Sequence, residues 1–188
     1  MTSTQGFFAS RWVSQPAHVT ATPGGLPAGF RAASAGAGIK PGGAIDLGLL
    51  VCDSAQCVSA ARYTRSGVLA APVLVSRDET TDNAVRAVVA NSGNANAATG
   101  PDGMHAARAM QQATAAALGC DAGSVAVAST GVIGVPLPLD GLEAGIAAAA
   151  AALDRGGDTK FSEAIMTCLL YTSPSPRDVE ESRMPSSA

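Results

Sequence analysis

The sequence predicts an α/β fold, with α+β as the alternative, in which a mixed sheet packs against helices. Three observations carry this. Short apolar runs bounded by glycine and polar residues read as buried strands. Two longer segments have helical spacing together with start and stop signals. The two kinds of segment alternate along the chain.

The elements follow in order. Residues 23–27 form a Gly/Pro turn cluster, and residues 36–43 (GAGIKPGG) a glycine-rich loop around Lys40. LGLLVC at 47–52 is a buried strand, VSAARY at 58–63 a second, and AAPVLV at 70–75 a third, against which Pro72 is a mild objection. AVRAVVA at 84–90 is the strongest strand and runs into a polar turn with Asn91, Asn94 and Asn96. A helix opens at Pro101, with Thr99 or Gly100 as cap, and ends at Gly119. SVAVA at 124–128 is a short strand, followed by a tight turn at Ser129, Thr130 and Gly131. A second helix starts near Asp140, whose spacing to Glu143 suits a capping box. Leu139, Leu142, Ile146 and Leu153 share one face, six alanines at 147–152 offer a close approach, and Arg155-Gly156-Gly157 stops the helix. Residues 163–167 begin a further strand.

Composition excludes several classes. Apolar residues make up 47% of the chain and charged residues only 14%, with 21 glycines. That is core enough for a domain, with few surface charges. A net charge of -3 lacks the positive field that nucleic acid or an anionic membrane surface attracts. The most apolar stretch, residues 141–153, contains Glu143 and falls short of the ~20 residues of a membrane-crossing helix. Cys52, Cys57, Cys120 and Cys168 lack zinc-site spacing, and His18 and His105 lie apart from them. Reduced structural thiols and a cytoplasmic location follow as the expectation, with no metal and no cofactor. No acid precedes Asp46, while Arg11, Arg31 and Lys40 do, the composition of a transit peptide; the plainer reading of residues 1–18 is a disordered lead-in.

Each candidate motif is weighed against a structural role. GAGIKPGG lacks the GK[ST] of a phosphate loop, and Lys40 is followed by Pro41 and then by a strand, so a structural loop is expected. His105 lies inside a helix without a partner at useful spacing, and Asp78, Glu79 and Asp82 read as a solvated loop. Ser129-Thr130-Gly131 ends an apolar strand with two hydroxyls and a glycine. Such a turn can aim donors at a developing oxyanion, although most are only turns. The three asparagines of residues 91–96 are costly to bury unless paired, and they sit at the carboxyl end of a strand, where α/β sheets carry function.

Five segments, in order, resemble the ornithine acetyltransferase family, the glutamate N-acetyltransferases of arginine biosynthesis. They are PAGFRAASAGAGIK at 27–40, YTRSGVLAAPV at 63–73, NSGNANAATGPDG at 91–103, VAVASTGVIGVPLPLD at 125–140 and EAIMT at 163–167. Tyr63 and Ser66 stand where that family more often has Phe and Asn. The resemblance implies a self-processing enzyme with a threonine nucleophile at a newly cut N-terminus, which passes acetyl from N2-acetylornithine to L-glutamate. It implies Thr130 and Gly131 as the oxyanion hole and Thr167 as a substrate contact. It also implies acetyl-CoA as a substrate where the enzyme is bifunctional, a carboxyl-terminal β chain released by self-cleavage, and an α2β2 heterotetramer. Residues 19–167 then form the amino-terminal, α-chain part, and the acetyltransferase fold is incomplete. A related self-processing aminopeptidase-like hydrolase and a non-catalytic ligand-binding domain are the competing readings.

From Cys168 the composition turns Ser/Pro-rich. CLLYTSPSPRD and the later SRMPSSA resemble the translation of a transposase-type sequencing adapter, so residues 168–188 are expected not to be native, and Thr172 is not the nucleophile. Re-sequencing the source locus across Thr167 checks this, and reads continuing uninterrupted into Pro174 would refute it. The family's Ala-Thr-Met-Leu cleavage site does not occur in the 188 residues. The polypeptide by itself is therefore expected to transfer no acetyl from N2-acetylornithine to glutamate, measured with host enzyme excluded.

Overall fold

The computed structural model describes His18 and residues 24–167. The expectations for residues 1–17 and for 168–188, including Cys168 and Thr172, lie outside the described residues.

Four strands form one mixed sheet in sequence order: β1 (Phe30–Ala35), β2 (Leu47–Cys52), β3 (Ala87–Asn94) and β4 (Val125–Val132). β1 and β2 pair antiparallel, as do β2 and β3, while β3 and β4 are parallel. The parallel pair requires a crossover, and α2 (Gly100–Leu118) supplies it. β2 lies where LGLLVC predicts it. Leu47, Leu49 and Val51 alternate onto one face and join a core with Val75, Met110, Leu142 and Ile146, from α1 (Ala71–Asp78), α2 and α3 (Leu139–Ala151). Gly48 points to the other face, where Phe161 and Ile165 of α4 (Asp158–Ile165) pack over it. The class is α/β with a mixed sheet, as expected.

Several local expectations are corrected. Residues 58–63 form no strand: Val58 is 85% exposed, and the segment is anchored by side chains. Ser59 Oγ donates to the Asp82 carbonyl at 2.6 Å, and Tyr63 donates its hydroxyl to the Ser76 carbonyl at 2.8 Å. AAPVLV is the start of helix α1, not a strand. Pro72 sits in the first turn, where its missing N–H has no intrahelical partner to lose. EAIMT is likewise helical through Ile165, because Phe161 and Ile165, four apart, meet the sheet together. β1, unmarked in the sequence, owes its conformation to pairing: FRAASA has little strand preference alone but runs in register from Phe30 opposite Cys52 to Ala35 opposite Leu47.

The helix ends also differ. Gly119 closes α2 in the left-handed conformation (φ 65°), as its sequence position predicts. α3 starts at Leu139 with Pro138 as its cap residue and no side-chain cap, so Asp140 lies in the first turn, favourable to the dipole but not capping. α3 ends at Ala151, before the Arg155-Gly156-Gly157 group. The close approach is made by Gly141 rather than by the alanine run, of which Ala147, Ala148, Ala151 and Ala152 are exposed. A Cβ on Gly141 would lie 2.2 Å from the Ala37 carbonyl oxygen.

Both sheet edges are covered in part. Ser76 of α1 donates to the carbonyl of Val127 (2.8 Å) and accepts from its N–H (2.9 Å) along the outer side of β4. Ala32 of β1 exchanges backbone bonds with Asp154. Such contacts blunt the edges against pairing with other chains. Among the described residues no helix is long and apolar enough to cross a membrane.

Candidate active site

The site begins with the asparagine segment, which is not the polar turn expected. Residues 91–94 continue β3, with a bulge between Gly93 and Asn94. Asn91, Asn94 and Asn96 are buried, and every one is paired. Asn91 Nδ2 donates to the Asn94 carbonyl (2.9 Å), and its Oδ1 accepts from Ser129 Oγ (2.6 Å). Asn94 Nδ2 donates to the Val135 carbonyl (2.9 Å), while its Oδ1 accepts from the Asn96 N–H (2.8 Å). Asn96 Nδ2 reaches the Gly103 carbonyl (2.9 Å) in the first turn of α2. The asparagines are thus structural brackets, which resolves the cost of burying them.

Those brackets hold the segment around Thr130. Ser129, Thr130 and Gly131 are not a turn but the continuation of β4 alongside β3. Gly131 lies opposite Gly93, and both have positive φ, 136° and 97°. A Cβ on Gly131 would lie 2.3 Å from the Gly93 carbonyl carbon, so the two backbones touch without side chains between them. Further on, Ala95 N–H donates to Val132 (2.8 Å) and Gly134 N–H to Ala97 (2.8 Å), zipping the two strand ends together.

The glycine-rich loop forms the next wall. Asp46 is fully buried, and its carboxylate accepts the backbone N–H groups of Ala37 (2.6 Å), Ile39 (2.7 Å) and Lys40 (2.8 Å). These donors face an internal carboxylate, which agrees with a structural loop and leaves them no role in cradling phosphate. The Asp46 carbonyl in turn accepts from Ser92 N–H (2.8 Å), tying the loop to β3. α4 closes the site from the other face, where Ser92 Oγ donates to the Ala164 carbonyl.

Between these parts lies a cavity of about 840 Å³. Thr130, Gly131 and Thr167 all line it, together with Lys40, Gly93 and Glu163. The three residues singled out in the sequence therefore converge, from β4 and from the end of α4. Glu163 and the clamp Asp46 were not singled out, and Lys40 was weighed only as part of a phosphate loop and set aside. The one sequence signal for Asp46 is its position as the first acid of the chain, directly before the apolar strand.

Other candidates stay apart. His105 is exposed on α2, beside a separate cavity of about 250 Å³. Asp78 pairs with Arg77 and Glu79 with Arg108, so two of the three loop acids are ion-paired, while Asp78 ends α1. Among the described residues no three His, Cys, Asp or Glu side chains group as metal ligands. Contact with the Cys52 thiol, then burial, pushes the Cys57 thiol up, away from thiolate reactivity.

The model of the ArgJ family matches residues 31–180 of this chain. The arginine biosynthesis bifunctional protein ArgJ of Symbiobacterium thermophilum is 52% identical over 143 residues, 75% of this chain and 35% of that protein. The protein of the same name from Bacillus anthracis is 46% identical over 148 residues, 78% of this chain and 36% of its own length. The chain thus spans about a third of the curated relatives it matches. Among solved structures, the ornithine acetyltransferase of Mycobacterium tuberculosis, complexed with ornithine, superposes with a TM-score of 0.72 at 44% identity, covering 76% of this chain and 77% of that one. The ArgJ protein of Bacillus halodurans gives a TM-score of 0.67 at 37% identity, covering 75% and 73%.

Proposed function

Because this chain belongs to the ArgJ family, we propose that it is the amino-terminal part of an acetyltransferase of arginine biosynthesis, and that its cavity receives the acyl group. In the proposed reaction a threonine hydroxyl attacks the acetyl carbonyl of N2-acetylornithine. The tetrahedral oxyanion collapses, ornithine leaves with the proton, and the acetyl-threonine is then attacked by the amine of glutamate. This gives N-acetylglutamate and restores the threonine. The attacking threonine lies in the carboxyl-terminal β chain, the partner that completes the site. An α2β2 assembly, cytoplasmic location, and acetyl-CoA as an additional donor belong to the same reading.

The observation that carries it is the convergence of Thr130, Gly131 and Thr167 on one cavity. The Thr130 hydroxyl and Gly131 N–H are assigned to the oxyanion, and Thr167 to the substrate. Gly131 suits this because it lines the cavity without adding a side chain to the wall, and its strand is held beside buried asparagines. Donors fixed in advance stabilise a developing charge without reorganising.

The test is Thr130→Ala in the full-length protein. Loss of one oxyanion donor is expected to lower kcat for transfer from N2-acetylornithine to glutamate by about 100-fold, with little change in KM. Turnover equal to wild type would remove Thr130 from the mechanism.

A further inference from the structure

Lys40 enters the cavity from the glycine-rich loop, and its backbone N–H is fixed by the buried Asp46 at 2.8 Å. Its Nζ crosses to the far wall and donates to the Met166 carbonyl at 2.6 Å, with a longer contact to the Ile45 carbonyl at 3.5 Å. Met166 closes α4 and immediately precedes Thr167. As the C-cap of α4, with its backbone already extended (ψ 141°), Met166 has a carbonyl without an intrahelical partner, left to accept a bond from outside the helix. The stem of Lys40 passes close to Gly93, where an added Cβ would lie 3.0 Å from Lys40 Cγ. Gly93 is the backbone partner of Gly131. One side chain therefore spans from the Gly93–Gly131 contact to the residue before Thr167.

We propose that Lys40 is a positioning residue for acyl transfer: by binding the Met166 carbonyl it sets Thr167 at the correct place opposite Thr130 and Gly131. The proposal rests on the acetyltransferase reading above. Lys40 need not touch substrate to act. A charge-assisted bond to one carbonyl fixes the backbone just past the end of α4, directly before Thr167. Releasing it lets Thr167 move relative to the donors. Substrate binding suffers first, because Thr167 is assigned to ground-state contact and the oxyanion donors remain in place on β4.

The experiment compares Lys40→Met, which keeps the stem and removes the ammonium, with Lys40→Arg, which keeps a charged donor, in the full-length protein. K40M is expected to raise KM for N2-acetylornithine about tenfold while kcat stays within about threefold of wild type. K40R is expected to retain a KM within about threefold of wild type, because a single carbonyl needs a cationic donor rather than one particular shape. The double variant K40M/T167A is expected to have a KM close to that of T167A alone, since Lys40 acts through Thr167. Should K40M not fold, Lys40→Gln takes its place, with an intermediate rise in KM expected. An unchanged KM in the ammonium-free variant, equal impairment in K40R, or fully additive effects with T167A would each overturn the proposal. A purely structural role would lower the melting temperature and the active fraction and leave KM alone. If Thr130→Ala, run alongside, retains full turnover, the acetyltransferase reading of the site fails, which is a separate result.

Discussion

Replacing Gly131 with alanine is expected to destabilise the protein by about 3 kcal/mol or more and to abolish the proposed transfer, because two costs fall on one atom. The residue has a φ of 136°, a conformation that L side chains rarely adopt. The new Cβ would also lie 2.3 Å from the Gly93 carbonyl carbon, 2.5 Å from the Asn94 nitrogen and 2.7 Å from the Gly93 oxygen. These are backbone atoms, so no side chain can swing aside. β3 and β4 must separate at the point where the cavity begins, and the asparagine bonds that bracket them would be broken with it. Gly38→Ala serves as the control. Gly38 also has positive φ (73°), but an added Cβ meets nothing within 4 Å, so only the conformational cost of about 1 kcal/mol remains. Urea midpoints of the two variants measure the difference. A Gly131→Ala protein as stable as Gly38→Ala would show that the strands part easily there.

Removal of the Asp46 carboxylate is expected to be the second large effect. Asp46→Ala leaves the N–H groups of Ala37, Ile39 and Lys40 without their acceptor inside the protein. Bonds to a charged acceptor are worth more than neutral ones, and breaking a buried charged network typically costs about 3–5 kcal/mol. Asp46→Asn is expected to lie between, because an amide offers one acceptor oxygen and turns donors toward donors. The unfolding midpoint measures both. The consequence also reaches the site: Lys40 leaves the loop at a bond to this carboxylate, so the variant should show the raised KM of K40M at temperatures where it is still folded. An Asp46→Ala protein with wild-type stability would mean that water replaces the carboxylate.

The strand LGLLVC and the helix from Gly100 to Leu118 were legible because each carries a local signal that tertiary contacts do not alter. The first is an apolar run with both faces covered, and the second is bounded by Pro101 and a left-handed Gly119. AAPVLV and EAIMT misled for one reason. A run of five or six residues with apolar content is too short for its period to separate strand from helix, and packing decides. Val75 and Ser76 are buried beside β4, and Phe161 with Ile165 covers Gly48, arrangements that only helices allow. FRAASA was silent because its strand is a product of pairing with β2.

For the site, residue types pointed to an oxyanion turn at Thr130 and Gly131 only weakly, and the resemblance to a family named these residues and Thr167. The glycines at 93 and 131 are written in the chain, but 38 residues separate them, and only their opposition across β3 and β4 makes both obligatory. The asparagines could have been a ligand-binding loop or a bracket; their burial and pairing decide for the bracket. By itself, then, the sequence determined the family, the α/β class and the elements with local start and stop signals, since those depend on neighbours along the chain. The tertiary structure alone decided that β4 runs on through Thr130 and Gly131, that Asp46 clamps the glycine-rich loop, and that Lys40 bridges 126 residues to reach Met166. Such contacts join residues far apart in sequence, and their energy comes from burial and pairing that exist only once the sheet and its helices have come together.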